Sequence, residues 1–324
     1  MVALSRGGST DSGITNMRTP YYQEVKSHFT RFSNHPMIDT ISKYVKDGKE
    51  SSYWYYYDWK MNANGYVFTK AGKIVNKGII RKMGFKETSD PFVKYAALAA
   101  DFAAVSGFRR FYAAHKPYYD SLIKIYMEYN PLYEMKDWLE KQFPYKFDYF
   151  LVTFSPLTSG AHSTGYFEDN GFKQTVMFIA GVNINHNFSR AVNEMANSRV
   201  VFTEIDHNYV NPVADKYEKD IQIAMKDKAK WAKGVDDSSA YADAMSTFQE
   251  YMTWAVFSLY CLDKFRDDDV NTYISRMERQ MERSRGFSNF KAFNRELMRL
   301  YLAYKSEKKV TDLYPEIIEW CKQQ

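Results

Sequence analysis

Cysteine is scarce in this 324-residue chain, which has only Cys261 and Cys321. Two thiols could form one disulfide, but they are too few for a disulfide scaffold or a zinc knuckle, and they leave the redox compartment open. Nor does any apolar run approach the roughly 20 residues of a membrane span. The opening stretch MVALSRGGSTDSGITNM lacks a basic region followed by an apolar one, so no export signal is visible. Its Gly, Ser and Thr content predicts a flexible tail over residues 1–17. Such a tail begins a cytoplasmic protein as readily as it remains after a signal has been removed. A polycation is missing as well: 44 Lys and Arg stand against 39 Asp and Glu, and a net +5 spread over a mixed surface argues against nucleic acid as a partner. No internal repeat and no polar linker divides the sequence.

Apolar and aromatic residues are abundant. At 45% hydrophobic, the chain can bury a sizeable core as one large domain or two. The 27 Tyr and 23 Phe read as packing residues at element ends in preference to a sugar-binding platform.

The first 145 residues read as mostly helical. Thr19-Pro20 supplies an N-cap and a first-turn proline for a helix to about Ser33, and Asn34-His35-Pro36 opens another, with His28 and His35 as ordinary helix and cap residues. Tyr53 to Trp59 has strong β propensity and pairs, through Asn64-Gly65, with Tyr66-Val67-Phe68. Helical patterns resume after Asp90-Pro91 and continue to Phe143. At Phe147 the pattern changes. Phe147 to Phe154 predicts a strand ended by Ser155-Pro156, Thr175 to Val182 predicts a second, and Leu157 to Asn170 between them reads as a connection. Beyond Pro212 helices return, among them a long one from about Ser239 to Phe265 in which Glu250 is the lone acid of an apolar stretch. A carboxylate there must be exposed, paired or bound to metal.

The segment Ser189 to Pro212 organises the rest. Ala191, Met195, Val200, Val201 and Ile205 recur at helical spacing, Ser189 stands at the N-cap, and Pro212 is the expected stop. Within it, Thr203-Glu204-Ile205-Asp206-His207 has the outline of His-Glu-x-x-His, in which two histidines four apart share a helix face and bind zinc beside a glutamate base. Thr203 stands where the first histidine would be.

The run Thr203 to Pro212, Glu250, Phe154-Ser155-Pro156-Leu157 and the segment from Tyr21-Tyr22 through Val25 and Phe29 to His35-Pro36 resemble a bacterial family of zincin-like proteins classed as a domain of unknown function. That family commonly carries His-Glu-x-x-His-x-x-x-Asn-Pro, and many members are exported. The resemblance spans about Pro20 to Leu302. It implies His207 and Glu250 as zinc ligands and Glu204 as the base that polarises a zinc-bound water. A Thr203 hydroxyl is a poor substitute for imidazole, since catalytic zinc takes three protein ligands and a water. Glu204 and His207 at i, i+3 could hold a metal with Glu250 at the expense of the base, and His162 or His186 could supply a replacement ligand. Without metal, Glu204, Asp206 and His207 would form a polar cluster tying the helix to its neighbours.

The expected fold is α+β and predominantly helical, zincin-like, with a short mixed sheet packed on the motif helix. The expected organisation is a tail (1–17), a helical region (18–145) and a zincin-like region (146–324), the last two forming one domain or two. The expected function is zinc-dependent peptide hydrolysis weakened at Thr203, with a peptide lying against an edge strand formed by Val176 to Val182. The alternative is an inactive module that binds a peptide or a glycan. Either way Glu204, His207 and Glu250 should converge, with the Glu250 carboxylate within about 8 Å of the His207 ring.

Overall fold

The computed structural model describes residues 15–47, 60–76, 91–159, 162–233, 241, 243–305 and 307–324. Its elements in chain order begin with α1 (Pro20–Thr30), α2 (Pro36–Asp47), β1 (Tyr66–Phe68), β2 (Ile74–Asn76), α3 (Pro91–Val105), α4 (Phe108–Ala114), α5 (Lys116–Tyr129) and α6 (Leu132–Gln142). They continue with β3 (Tyr149–Ser155), β4 (Ser163–Asp169), β5 (Phe172–Ala180), α7 (Arg190–Ala214), α8 (Glu218–Ala224), α9 (Lys228–Trp231), α10 (Ala244–Lys264), α11 (Asp267–Ser284), α12 (Phe290–Tyr304) and α13 (Tyr314–Lys322). The protein is therefore α+β and predominantly helical. No helix among the described residues is long and apolar enough to cross a membrane.

The chain forms two compact units, each built from two stretches: Met1–Tyr126 with Phe147–Val182, and Met127–Lys146 with Asn183–Gln324. This departs from the expected boundary at 145/146. The sheet groups with the N-terminal helices and not with the motif helix, because its hydrophobic face collects partners from earlier in the chain. Met61 packs with Phe167 and Val176 of the sheet, flanked by Leu151 and Phe178, and Thr153 Oγ1 donates to Asn64 Oδ1 at 2.8 Å.

Strand order in that sheet is β3-β5-β4, with β3 parallel and β4 antiparallel to β5. The sheet is mixed as expected, but two strand expectations need correction. The connection Leu157 to Asn170 contains a full strand, β4, joined to β5 by the two-residue turn Asn170-Gly171, whose φ values of 52° and 82° are both left-handed. An Asn-Gly pair adopts that turn readily, and its twist matches a tight hairpin. Because β4 takes one side of β5 and β3 the other, Val176 to Phe178 is central and paired on both sides, while Ile179 and Ala180 are paired with β3. It is not the edge on which a peptide was expected to lie. A second small ribbon pairs Tyr66–Phe68 with Ile74–Asn76, so the partner of β1 follows it in sequence. The expected strand Tyr53 to Trp59 lies outside the described residues.

In the first unit α1 begins as anticipated, with Thr19 Oγ1 accepting from the Tyr22 amide and Pro20 in the first turn. His35 acts as a cap residue, its Nδ1 accepting from the Met37 amide at 3.1 Å. In the second unit α10 is buried on nearly every side from Thr247 to Cys261, as an apolar helix at the centre of a bundle must be. Helices α7, α11 and α12 pack around it. Cys261 and Cys321 are buried free thiols, and burial pushes both up in pKa.

Candidate functional site

Helix α7 starts where expected, with Ser189 Oγ accepting from the Val192 amide at 3.1 Å and donating to Asp269 at 2.7 Å. It does not stop at Pro212, which lies inside the helix, and the chain runs on to Ala214. A proline two residues from the end lacks one amide and crowds one carbonyl in the preceding turn, and a helix packed against neighbours tolerates that loss in its last turn.

The helix face that carries Thr203, Asp206 and Val210 is buried, whereas Glu204 and His207 are half-buried. The Thr203 hydroxyl donates to the Arg199 carbonyl at 3.0 Å, one turn back on its own helix. It therefore spends its hydrogen on the backbone, in the habit of a buried helical threonine.

Opposite this face, α10 presents Glu250, whose side chain is only 8% exposed. His207 Nε2 lies 3.7 Å from Glu250 Oε2, so the two residues converge as expected. The His207 Nδ1 is 3.4 Å from Asn211 Oδ1. Glu250's other oxygen is taken by donors that the sequence reading did not anticipate. Oε1 accepts from Arg285 Nη2 at 2.6 Å and from Trp254 Nε1 at 2.9 Å. Arg285 also donates to the Tyr241 hydroxyl at 2.5 Å. A second guanidinium, Arg199, stacks on Trp254 at 4.2 Å from the ring centroid, and burial lowers its pKa while a hydrogen bond from it to Tyr273 acts in the other direction.

Asp206 completes the cluster from below. It is fully buried, and among the described residues neither carboxylate oxygen has a hydrogen-bond partner. Burial first, and then the nearby Glu250 and Glu204 charges, push its pKa far above the usual carboxylate range. Both effects favour the protonated acid.

This donor set does not fit a zinc ion. Among the described residues no group of three His, Cys, Asp or Glu is placed to hold a metal, so Glu204 does not complete a set with His207 and Glu250. His186, one proposed replacement, is exposed in the segment before α7, and His162 belongs to the first unit. Electrostatics point the same way. A divalent ion about 4 Å from the Arg285 guanidinium would meet roughly 8 kcal/mol of repulsion at an effective dielectric of 20.

Trp254, which was not anticipated, had a readable signal, and so did the burial of Asp206. Trp254 is one helical turn from Glu250 and shares its face. Asp206 sits among Val201, Phe202, Ile205, Tyr209 and Val210, all buried. Arg285 had none, because a cation at the end of an amphipathic helix is the commonest of surface residues. Comparison with family models, curated proteins and solved structures finds no match to this chain.

Proposed function

We propose that this chain is a zincin-like protein without hydrolytic zinc, and that its second unit is a peptide-binding module centred on His207, Glu204 and Arg285. One observation carries this reading: the Glu250 carboxylate is already neutralised and hydrogen-bonded by Arg285 and Trp254 while Thr203 is bonded to its own helix. A guanidinium held against that carboxylate opposes a second cation beside it. The His207 imidazole, 25% exposed, and the Arg285 guanidinium, 31% exposed, retain access to solvent. Both suit the carbonyl and carboxylate oxygens of a peptide. Zinc-dependent hydrolysis remains the second reading, favoured by the His207–Glu250 approach of 3.7 Å.

The test uses the full chain and a random peptide library, with added zinc and with chelator. Peptides should be retained equally in both conditions and recovered intact, and His207→Ala should weaken retention by roughly tenfold, about 1.4 kcal/mol. Zinc-dependent cleavage that disappears in Glu204→Gln would establish hydrolysis instead. Retention of glycans in preference to peptides would move the ligand class to the other alternative.

A further inference from the structure

The geometry points to Arg285 as a built-in counter-cation for Glu250, a fixed guanidinium in the electrostatic role that a metal would have beside this carboxylate, which closes the site to zinc. The inference rests on the zincin-like reading and adds to it a named cause for the absence of a metal site.

The backbone places the residue before any side-chain contact is considered. Helix α11 ends at Ser284, and Gly286 follows with φ 75°. A left-handed glycine at that position wraps the chain back on the last turn, and here the Arg285 amide donates to the Gln280 carbonyl at 3.3 Å and the Phe287 amide to the Met281 carbonyl at 3.1 Å. Arg285 is thus the last residue before a sharp, hydrogen-bonded reversal. Its guanidinium is then fixed on several sides. It bonds Glu250 and Tyr241, and its carbon lies 5.1 Å from the Trp254 ring centroid, 5.4 Å from Tyr241 and 5.7 Å from Phe287. Aromatic faces stabilise a cation more when water is excluded, and arginine is the cation best suited to stack on them while bonding a carboxylate. The carboxylate and the rings favour the charge staying where it is, against the repulsion of Arg199 on the same Trp254.

The consequence for metal binding is twofold. Glu250 Oε1 already has two donors, so an incoming ion would either displace both or bind through Oε2 alone, and in each case it would sit beside the positive charge of Arg285. Restoring the missing histidine alone therefore does not restore a site.

Four variants separate the inference from the reading beneath it: Thr203→His, Thr203→His with Arg285→Met, the same with Arg285→Gln, and the same with Arg285→Lys. Each is dialysed against micromolar zinc, analysed for metal and melted with and without zinc. Thr203→His and the lysine double variant should hold under roughly a tenth of an equivalent, whereas the Met and Gln double variants should hold about one and gain thermal stability from zinc. If Thr203→His alone takes up an equivalent, Arg285 is no barrier and this inference falls, with the zincin-like reading intact. If the Met and Gln double variants fold cooperatively and bind no zinc, the ligand geometry is absent and the zincin-like reading falls, taking the inference with it. Should neither neutral variant fold while the lysine variant does, a cation at 285 is a condition of the fold, which supports the counter-cation role. Failure of the lysine variant as well would show that shape and not charge matters at 285, and would overturn it.

Discussion

Each unit holds a histidine–glutamate pair, and the two differ in what else the acid touches. In the first unit His115 Nε2 lies 2.8 Å from Glu24 Oε2, with the glutamate side chain 58% exposed. Its Nδ1 lies 2.8 Å from the Phe111 carbonyl, so both ring nitrogens face acceptors and both must donate. That arrangement favours the imidazolium, and Glu24 first and the Phe111 carbonyl second raise its pKa. In the second unit the separation is 3.7 Å, but Glu250 is buried. The shorter pair belongs to the more exposed acid and the longer one to the acid that most needs a partner. A buried carboxylate takes the donor that is always charged and can bond without reorienting, here Arg285, and leaves the titratable imidazole at a distance. Separation alone is thus a poor guide to which pair matters.

The largest expected effect comes from breaking the buried side of this comparison. Arg285→Met should destabilise the protein by roughly 3 kcal/mol in urea unfolding, because Glu250 is left as a buried charge without its counter-ion. Combining it with Glu250→Gln should recover a large part of that loss, and additive losses would show that the pair is not coupled.

Asp206→Asn is expected to come next, and with the opposite sign. Since the folded pKa lies above the unfolded value of about 3.9, the folded state binds the extra proton between the two, and stability falls as pH rises from about 4 toward the folded pKa. Glu204 on the same helix, Glu250 from α10 and Tyr314 from α13 surround the group, so no cation relieves it. The amide should raise stability at pH 7 by about 1–3 kcal/mol and flatten this part of the pH profile. A variant as pH-sensitive as the wild type would show that the proton sits elsewhere.

The exposed pair should respond far less. Its contribution is present in full below the unfolded histidine pKa of about 6.5 and is lost as pH rises through the higher folded value. Glu24→Gln should lower the His115 pKa in an NMR titration and change stability by less than about 1 kcal/mol, because the acid is solvent-exposed. The smallest effect belongs to Thr203→Val. The hydroxyl back-bonds to the Arg199 carbonyl and, more weakly, the Val200 carbonyl of its own helix, so unfolding should shift by less than about 0.5 kcal/mol and peptide retention should not change.

Local signals in the sequence predicted local structure well. Thr19 and Ser189 cap the helices they precede because a cap needs only the next three residues. Glu250 stood out as one acid in an apolar helix, and its approach to His207 follows from the need to satisfy it. Failures came where a residue's role depends on distant neighbours. Pro212 looks like a stop until the packed helix around it is known. Thr175 to Val182 read as an edge because the Asn170-Gly171 turn, and with it β4, went unrecognised. Arg285 reaches Glu250 from another helix through a backbone reversal that no spacing rule connects to α10.

The division of the chain into interleaved stretches has a consequence in time. The first unit is interrupted between Tyr126 and Phe147, and β5 at its centre ends only at Ala180. A ribosome adding roughly 5–20 residues per second thus releases the helices of the first unit seconds before the sheet they share a unit with. During that interval the helices lack the sheet as a partner, and the Tyr126 ring of α5 in particular lacks Phe154 of β3, on which it stacks in the folded protein. When the sheet is made, the β4–β5 hairpin closes over two residues and can form in microseconds, whereas β3 must wait for β5 across the whole of β4. Vectorial synthesis therefore leaves the parallel pairing of β3 as the last step of the first unit, and α6, made before the sheet, must then wait for α7 and α10 to join the second.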